Sequence, residues 1–213
     1  MSEEAKIPLF LLNVVLFPDS KLPLYIFEER YKKMLNECVE SKGVFGINLF
    51  AERKMYMTGC SAIVYEVINK TGTGEMNIIT KGIKRYHVIE YELEREGFYT
   101  GNIKFIEDEN KEYDKPKMEK CVKIYNELVE AVYKEKVRKI DLNDFKWQDG
   151  SRSVSFAMAE KSGLNLLERQ HLLEIDDEDK RLDYILNYYK EVMPKIKEAD
   201  RINKIIKSDG YIQ

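Results

Sequence analysis

Histidine and cysteine are scarce in this chain of 213 residues, with two of the first and three of the second. His87 and His171 stand too far apart to anchor a histidine-based metal site or an acid–base pair. His171 does have Glu168 and Glu174 about one helical turn to either side, a spacing that could hold a metal, but a solvated charged helix face accounts for the same pattern. His87 falls in an alternating segment, the ordinary place for a half-exposed cross-strand residue. Cys38, Cys60 and Cys121 are odd in number, widely spaced and set among apolar neighbours. They read as reduced core thiols, which predicts a cytoplasmic protein without disulfides.

An excess of either charge is also missing. Lys and Arg number 35 against 38 Asp and Glu, so the net charge of −3 exerts no general pull toward nucleic acid or an anionic membrane, and such binding would have to be local. The longest early apolar run, Ile7 to Phe17, is preceded by Glu3, Glu4 and Lys6, bracketed by Pro8 and Pro18, and interrupted by Asn13. It is not a signal-peptide core, and no segment approaches the ~18 apolar residues of a membrane span. G-x-S-x-G, H-E-x-x-H, S-x-x-K, C-x-x-C and Walker patterns are all absent. The stretch Lys70-Thr-Gly-Thr-Gly-Glu75 lacks the Lys-Ser/Thr pair and following helix of a phosphate loop and reads as a hairpin turn. The acids from Asp176 to Asp179 lack the glycine and terminal Glu of a calcium loop and read as a helix start. No catalytic residue, cofactor-binding residue or metal ligand is therefore assigned, and no cofactor is expected.

What the chain does have is core-forming material, 44% hydrophobic residues with 11% aromatic, enough for one large domain or two modest ones. The organising stretch is Ile7 to Tyr31, two apolar strand-like segments (7–12 and 22–27) around a Pro-bearing loop, leading into a helix. In that helix Tyr31, Met34, Leu35, Cys38 and Val39 repeat at helical spacing, Glu28 and Glu29 sit at the positive end, and Gly43 lies just past the other. Strand patterns follow at 44–50, 61–68, 76–80, 83–91 and 98–106, predicting a mostly antiparallel pseudo-barrel around one helix. The charged run Asp108 to Lys115 marks a boundary, giving a β-rich part at 1–114 and a helical part at 115–213. The helical part predicts about four helices: a stripe of about 23 residues from Pro116, a short one over 151–161 ended by Gly163, one opened by an Asn165-x-x-Glu168 capping box, and a last one that Pro194 kinks or ends. The fold class expected is α+β.

Particular residues carry a family resemblance. Ile7-Pro-Leu-Phe10, Leu12 to Pro18 (LNVVLFP), Pro23-Leu-Tyr-Ile-Phe-Glu28, Arg30-Tyr31 and Met34-Leu35 together resemble the N-terminal, substrate-binding domain of the Lon ATP-dependent proteases. Gly59 with Ala62-Ile63, Gly82-Ile-Lys-Arg85, Gln170-x-x-Leu173-Glu174, Asp177 and Arg181-Leu-Asp-Tyr184 extend the similarity over about residues 7 to 206. The resemblance implies a PUA-like β subdomain followed by a helical one, in a stand-alone bacterial protein of this kind. It carries over neither the ATPase nor the serine–lysine peptidase of a full Lon protease. Two positions depart from the family pattern. Ser162-Gly163 replaces the usual Leu-Pro or Met-Pro, and Asp19-Ser20 follows Phe17-Pro18 where a glycine is common.

With the missing chemistry, the resemblance implies a non-catalytic module recognising exposed apolar segments of unfolded or partner proteins. Candidate contacts are Phe50, Met55, Tyr56 and Met57, an apolar group in a loop beside Glu52, Arg53 and Lys54; strand-end packing accounts for the same side chains. Two other partners fit particular features. Lys81, Lys84, Arg85, Tyr86 and His87 form a basic-aromatic group of the kind that contacts RNA, against which the net charge argues. The helical half could instead dock on a full-length Lon-type protease, making the protein an adaptor or regulator.

Overall fold

Alternating and continuous apolar runs in the first hundred residues need a second surface to cover them, and in the computed structural model they find it by closing on themselves. The structure describes residues 3–108, 114–133, 136–144 and 153–208. Six strands form one sheet: β1 (Glu4–Leu12), β2 (Lys21–Ile26), β3 (Phe45–Ala51), β4 (Lys54–Lys70), β5 (Met76–Leu93) and β6 (Tyr99–Phe105). β1 pairs in parallel with β3, and β3–β4, β4–β5, β5–β6 and β6–β1 are antiparallel. The ring therefore closes through β6, and β2 is annexed to the first half of β5. This is the mostly antiparallel, barrel-like sheet of an α+β protein.

The sequence predicts a break between 80 and 83, yet β5 runs straight through Gly82 while changing partner from β2 to β6. The bare Cα explains it. A Cβ at Gly82 would lie 2.3 Å from the Phe17 carbonyl oxygen, so only glycine lets the loop before β2 cross here. That loop is pinned by Asp19 N–H to the Gly82 carbonyl (3.0 Å) and Gly82 N–H to the Ser20 carbonyl (3.0 Å). Phe17 to Ser20 is a tight turn closed by Ser20 N–H on the Phe17 oxygen at 3.2 Å, with Pro18 second and Asp19 third at φ 62°. This is the type II pattern, whose third position favours glycine. Asp19 accepts that backbone where glycine is favoured and pairs with Lys81 at 3.0 Å.

Helix α1 (Glu29–Ser41) lays Tyr31, Met34, Leu35 and Cys38 on Phe10, Ile26, Phe45, Met76 and Ile78. Its left-handed C-terminal residue is Lys42, at φ 52°, and Gly43 donates its N–H to the Cys38 carbonyl at 2.9 Å. A second cluster, Ile7, Leu9, Tyr86, Val88 and Ile103, fills the barrel. The Tyr86 hydroxyl reaches Asn48 Oδ1 at 2.5 Å because Gly59 leaves room: a Cβ there would sit 2.6 Å from the Tyr86 hydroxyl oxygen.

The remaining helices are α2 (Lys115–Tyr133), α3 (Val154–Ala159), α4 (Leu166–Glu174) and α5 (Glu178–Ser208). The chain divides into two compact units, one of 1–109 with 165–176 and one of 110–164 with 177–213. Helix α4 thus groups with the strands, although its place in the sequence puts it among the helices. The reason is two polar anchors: Gln170 donates to the Thr58 carbonyl at 3.0 Å, and Arg85 donates to the Leu173 and Ile175 carbonyls at 2.9 and 2.6 Å. The expected boundary run falls largely on residues 109–113, outside the described residues, as do 151 and 152 at the expected start of the short helix.

The helical unit is built on α2, α3 and α5. Met118, Cys121, Tyr125, Leu128, Leu182, Ile185 and Tyr189 are buried in it, as the helical spacing predicts. Helix α2 has 19 residues where about 23 are expected, and α5 continues past Pro194, which is exposed. Asn165 caps α4 in a full capping box with Glu168, and Gly163 takes φ 82° after α3. No helix among the described residues is long and apolar enough to cross a membrane.

Candidate functional site

Phe50, Met55, Tyr56 and Met57 lie on the β3–β4 hairpin rather than in an irregular loop. Glu52 and Arg53 both take positive φ (52° and 62°), the signature of a two-residue type I′ turn, and Phe50 pairs with Met55. Phe50 is exposed. Met55 and Met57 are half-buried against the cluster inside the barrel. Tyr56 is half-buried too, with Lys54 Nζ 4.6 Å from its ring centre and its carbonyl accepting from Asn48 at 3.0 Å. Of the four, Phe50 is the side chain most freely presented to solvent.

The basic-aromatic group at 81–87 does not form one surface. Lys81 is paired with Asp19, Lys84 lies 3.6 Å from Glu3, and Tyr86 is fully buried. Arg85 is 4% exposed and clamps the end of α4 while pairing with Asp108. The His87 ring faces the Thr58 hydroxyl at 3.4 Å. Successive residues on a strand point to opposite faces, which disperses a group that looks contiguous in sequence. The carboxylates around His171 are likewise in use, Glu168 in the cap of α4 and Glu174 accepting from Gln170 at 2.8 Å.

A surface that sequence reasoning missed is carried by β2, β5 and β4. In β2, Leu22, Leu24 and Ile26 point to the core under α1, opposite Thr80, Ile78 and Met76 of β5. Lys21, Pro23 and Tyr25 point the other way and are exposed. Tyr25 is 54% and Phe27 58% exposed, and their rings stack at 5.8 Å. The Tyr25 hydroxyl donates to Glu75 at 2.9 Å, and this bond to a carboxylate raises its pKa above the ordinary phenol value. Across β5, Lys21 Nζ sits 3.9 Å above the ring of Tyr65 on β4, which places Tyr65 on the same face. Tyr65 is 51% and the nearby Ile68 56% exposed.

The signal was present in Leu22 to Phe27, which is apolar at both parities. In an antiparallel sheet with one face already covered by a helix, the second apolar parity has no internal partner. Half of the run, Pro23, Tyr25 and Phe27, faces solvent.

Beside this face, the C-terminal end of α1 and β4 enclose a groove of about 350 Å³ lined by Cys38, Val39, Lys42, Gly43 and residues 63–67. β4 pairs with β3 only as far as Ala62, so from Ile63 to Lys70 it has β5 on one side and, among the described residues, no strand on the other. The Cys38 thiol in the groove wall is pushed up to about 11 by burial, so it stays protonated and is a packing group.

In the helical unit Glu178 accepts from Ser153 (2.7 Å), from Ser155 N–H and Oγ (3.0 and 2.8 Å) and from Arg181 (2.7 Å). Arg181 is fully buried and stacks over Phe156 at 4.5 Å. Every oxygen of that carboxylate is engaged, so the cluster ties α3 to α5 rather than presenting a reactive group.

Comparison with known proteins gives consistent results. The family model described as the ATP-dependent protease La (LON) substrate-binding domain matches residues 6–191. Among curated proteins, the chain is 27% identical over 208 residues to Lon protease 1 of Hydrogenovibrio crunogenus, an alignment covering 93% of this chain. The chain spans about a quarter of that relative's length, 25%. Among solved structures, the Lon N-terminal domain protein from Xanthomonas campestris superposes with a TM-score of 0.68 at 20% identity, covering 86% of this chain and 98% of that one. The N-terminal domain of the Mycobacterium avium complex Lon protease superposes with a TM-score of 0.61 at 14% identity, covering 87% and 98%.

Proposed function

Since this chain belongs to the family of LON substrate-binding domains, we propose that it is a non-catalytic binding module that recognises exposed apolar segments of unfolded or partner proteins. The observation that carries this reading is the solvent-facing aromatic surface of Tyr25, Phe27 and Tyr65, exposed on a sheet whose other side packs against the core under α1. Aromatic side chains of this kind dominate protein recognition because they bury large areas at small entropic cost. With Ile68 and Pro23 they offer roughly 500 Å². At ~25 cal/mol/Å² that is a gross gain of about 12 kcal/mol, and association costs reduce it to affinities on the order of micromolar or weaker. The hairpin tip, Phe50 with Met55, Tyr56 and Met57, is a second contact in this reading. No catalytic step is assigned to any residue, and the protein works in the cytoplasm, where its buried thiols stay reduced.

The test is fluorescence anisotropy with a labelled, reduced and carboxymethylated protein that cannot fold. Saturable binding in the micromolar range is expected, weakened by Tyr25→Ser with Phe27→Ser and to a smaller degree by Phe50→Ser. A linear, unsaturable signal would end the reading. A second reading is favoured by the match to Lon protease 1: the bound segment belongs to a Lon-type protease, for which the chain acts as adaptor or regulator. Co-purification with such a protease, retained when unfolded protein is added in excess, distinguishes the two.

A further inference from the structure

Accepting the peptide-binding reading, we infer that the β2–β5–β4 surface captures its segment through side chains lying on the face, without adding a strand to the sheet. The two edges beside the face, which have no partner strand among the described residues, are both unsuited to strand addition. On β2 the edge carries Lys21 and, in its middle, Pro23, which has no N–H to offer. On β4 the free stretch from Ile63 to Lys70 shifts register against β5 twice, between Val64 and Glu66 and between Val67 and Asn69. Each bulge breaks the alternation of backbone groups and increases the twist, so an added strand would find no regular run longer than about two residues.

The face itself has what side-chain capture needs: stacked Tyr25 and Phe27, the Tyr65 ring, and the groove at its border, whose 350 Å³ suits one or two apolar side chains. Its size decides the occupant. Roughly 500 Å² is well below the ~800 Å² per partner of a stable homodimer, and fits a segment of about five to seven residues better than a second copy of this chain. Charge refines the occupant further. The unit bearing the face has 20 Asp and Glu against 15 Lys and Arg, and Lys21 at one end of the face is outnumbered by Glu66 and Glu75 on and beside it. An acidic segment is disfavoured, and the fitting ligand is an extended run of aromatic and branched aliphatic residues with basic flanks.

The experiment uses three ten-residue fluorescent peptides and the full chain. One alternates Phe, Leu and Ile between Lys-Arg flanks, the second is the same peptide N-methylated at every other residue, and the third carries Glu flanks. The expected result is that N-methylation changes Kd by less than about threefold, Glu flanks weaken binding about tenfold at low salt, and Tyr25→Ser or Tyr65→Ser weakens it tenfold or more. Val39→Lys, at the groove lip, serves as an independent second variant, and circular dichroism establishes that each variant is folded. Loss of binding on N-methylation, with the tyrosine variants binding normally, would overturn the inference in favour of strand addition. Displacement of peptide by self-association at rising protein concentration would overturn it in favour of a second copy. Absence of binding by all three peptides and by unfolded protein would instead remove the peptide-binding reading itself.

Discussion

Replacing Arg85 by Met tests whether the basic residue in Gly82-Ile-Lys-Arg85 holds the fold together or serves a ligand. Its guanidinium is 4% exposed and donates to the Leu173 carbonyl at 2.9 Å, to the Ile175 carbonyl at 2.6 Å and to Asp108. The two carbonyls belong to the last turn and cap of α4, where backbone oxygens have no partner within the helix and carry partial negative charge. Met keeps most of the volume, so the loss is electrostatic. Two orphaned carbonyls cost about 1–2 kcal/mol each, and the pair with the 30%-exposed Asp108 adds no more than about 1 kcal/mol after screening by water. The total is about 2–5 kcal/mol. With m of ~1–3 kcal/mol/M, the urea midpoint of the β-rich unit should fall by about 2 M. Amide exchange across residues 166–174 should lose protection first, because α4 is the element released. Arg85→Lys should recover less than half the loss, since one ammonium cannot reproduce the planar fork. A midpoint within about 0.5 M of the parent, with α4 protection unchanged, would refute the clamp.

Two further predictions concern the core and the crossing loop. Gly82→Ala would place a methyl 2.3 Å from the Phe17 oxygen and force the loop off β5, with a loss of about 2–4 kcal/mol measured by thermal or urea unfolding. The buried thiols make stability fall in alkali. Burial pushes Cys38 to about 11 and Cys60 and Cys121 to about 12, from 9.0 in the open chain. Below pH 9 both states are protonated and nothing is lost. Between pH 9 and 11 the unfolded chain ionises first, and each thiol removes up to about 1.4 kcal/mol per pH unit. Urea titrations at pH 8, 9 and 10.5 should show this slope, and Cys60→Ala should reduce it by one thiol's share.

Much of the fold was legible because the governing forces are local. The 3.6-residue stripe of α1, the capping box at Asn165, the glycine after α3 and the turn between Lys70 and Glu75 are each decided within a few residues. The α+β class follows from the change of hydrophobic period between the two halves. The candidate surface was less legible. A strand apolar at both parities states that both faces are covered, or that one awaits a partner, and only the position of α1 decides between them. The same holds for basic residues: Arg85 and Lys84 are neighbours in sequence, yet one is buried beneath α4 and the other lies on the surface.

The sequence by itself determined the order and type of most helices and strands, the family pattern of Ile7 to Tyr31, and the absence of a recognisable catalytic motif, since each depends on side-chain type and short-range spacing. Tertiary structure alone decided three things: that β5 passes unbroken through Gly82, that α4 joins the strands, and that Pro23, Tyr25 and Phe27 turn outward while Leu22, Leu24 and Ile26 turn in. These depend on which distant segment arrives to satisfy a backbone group or cover an apolar face. That partner is named by packing, not by the residues that wait for it.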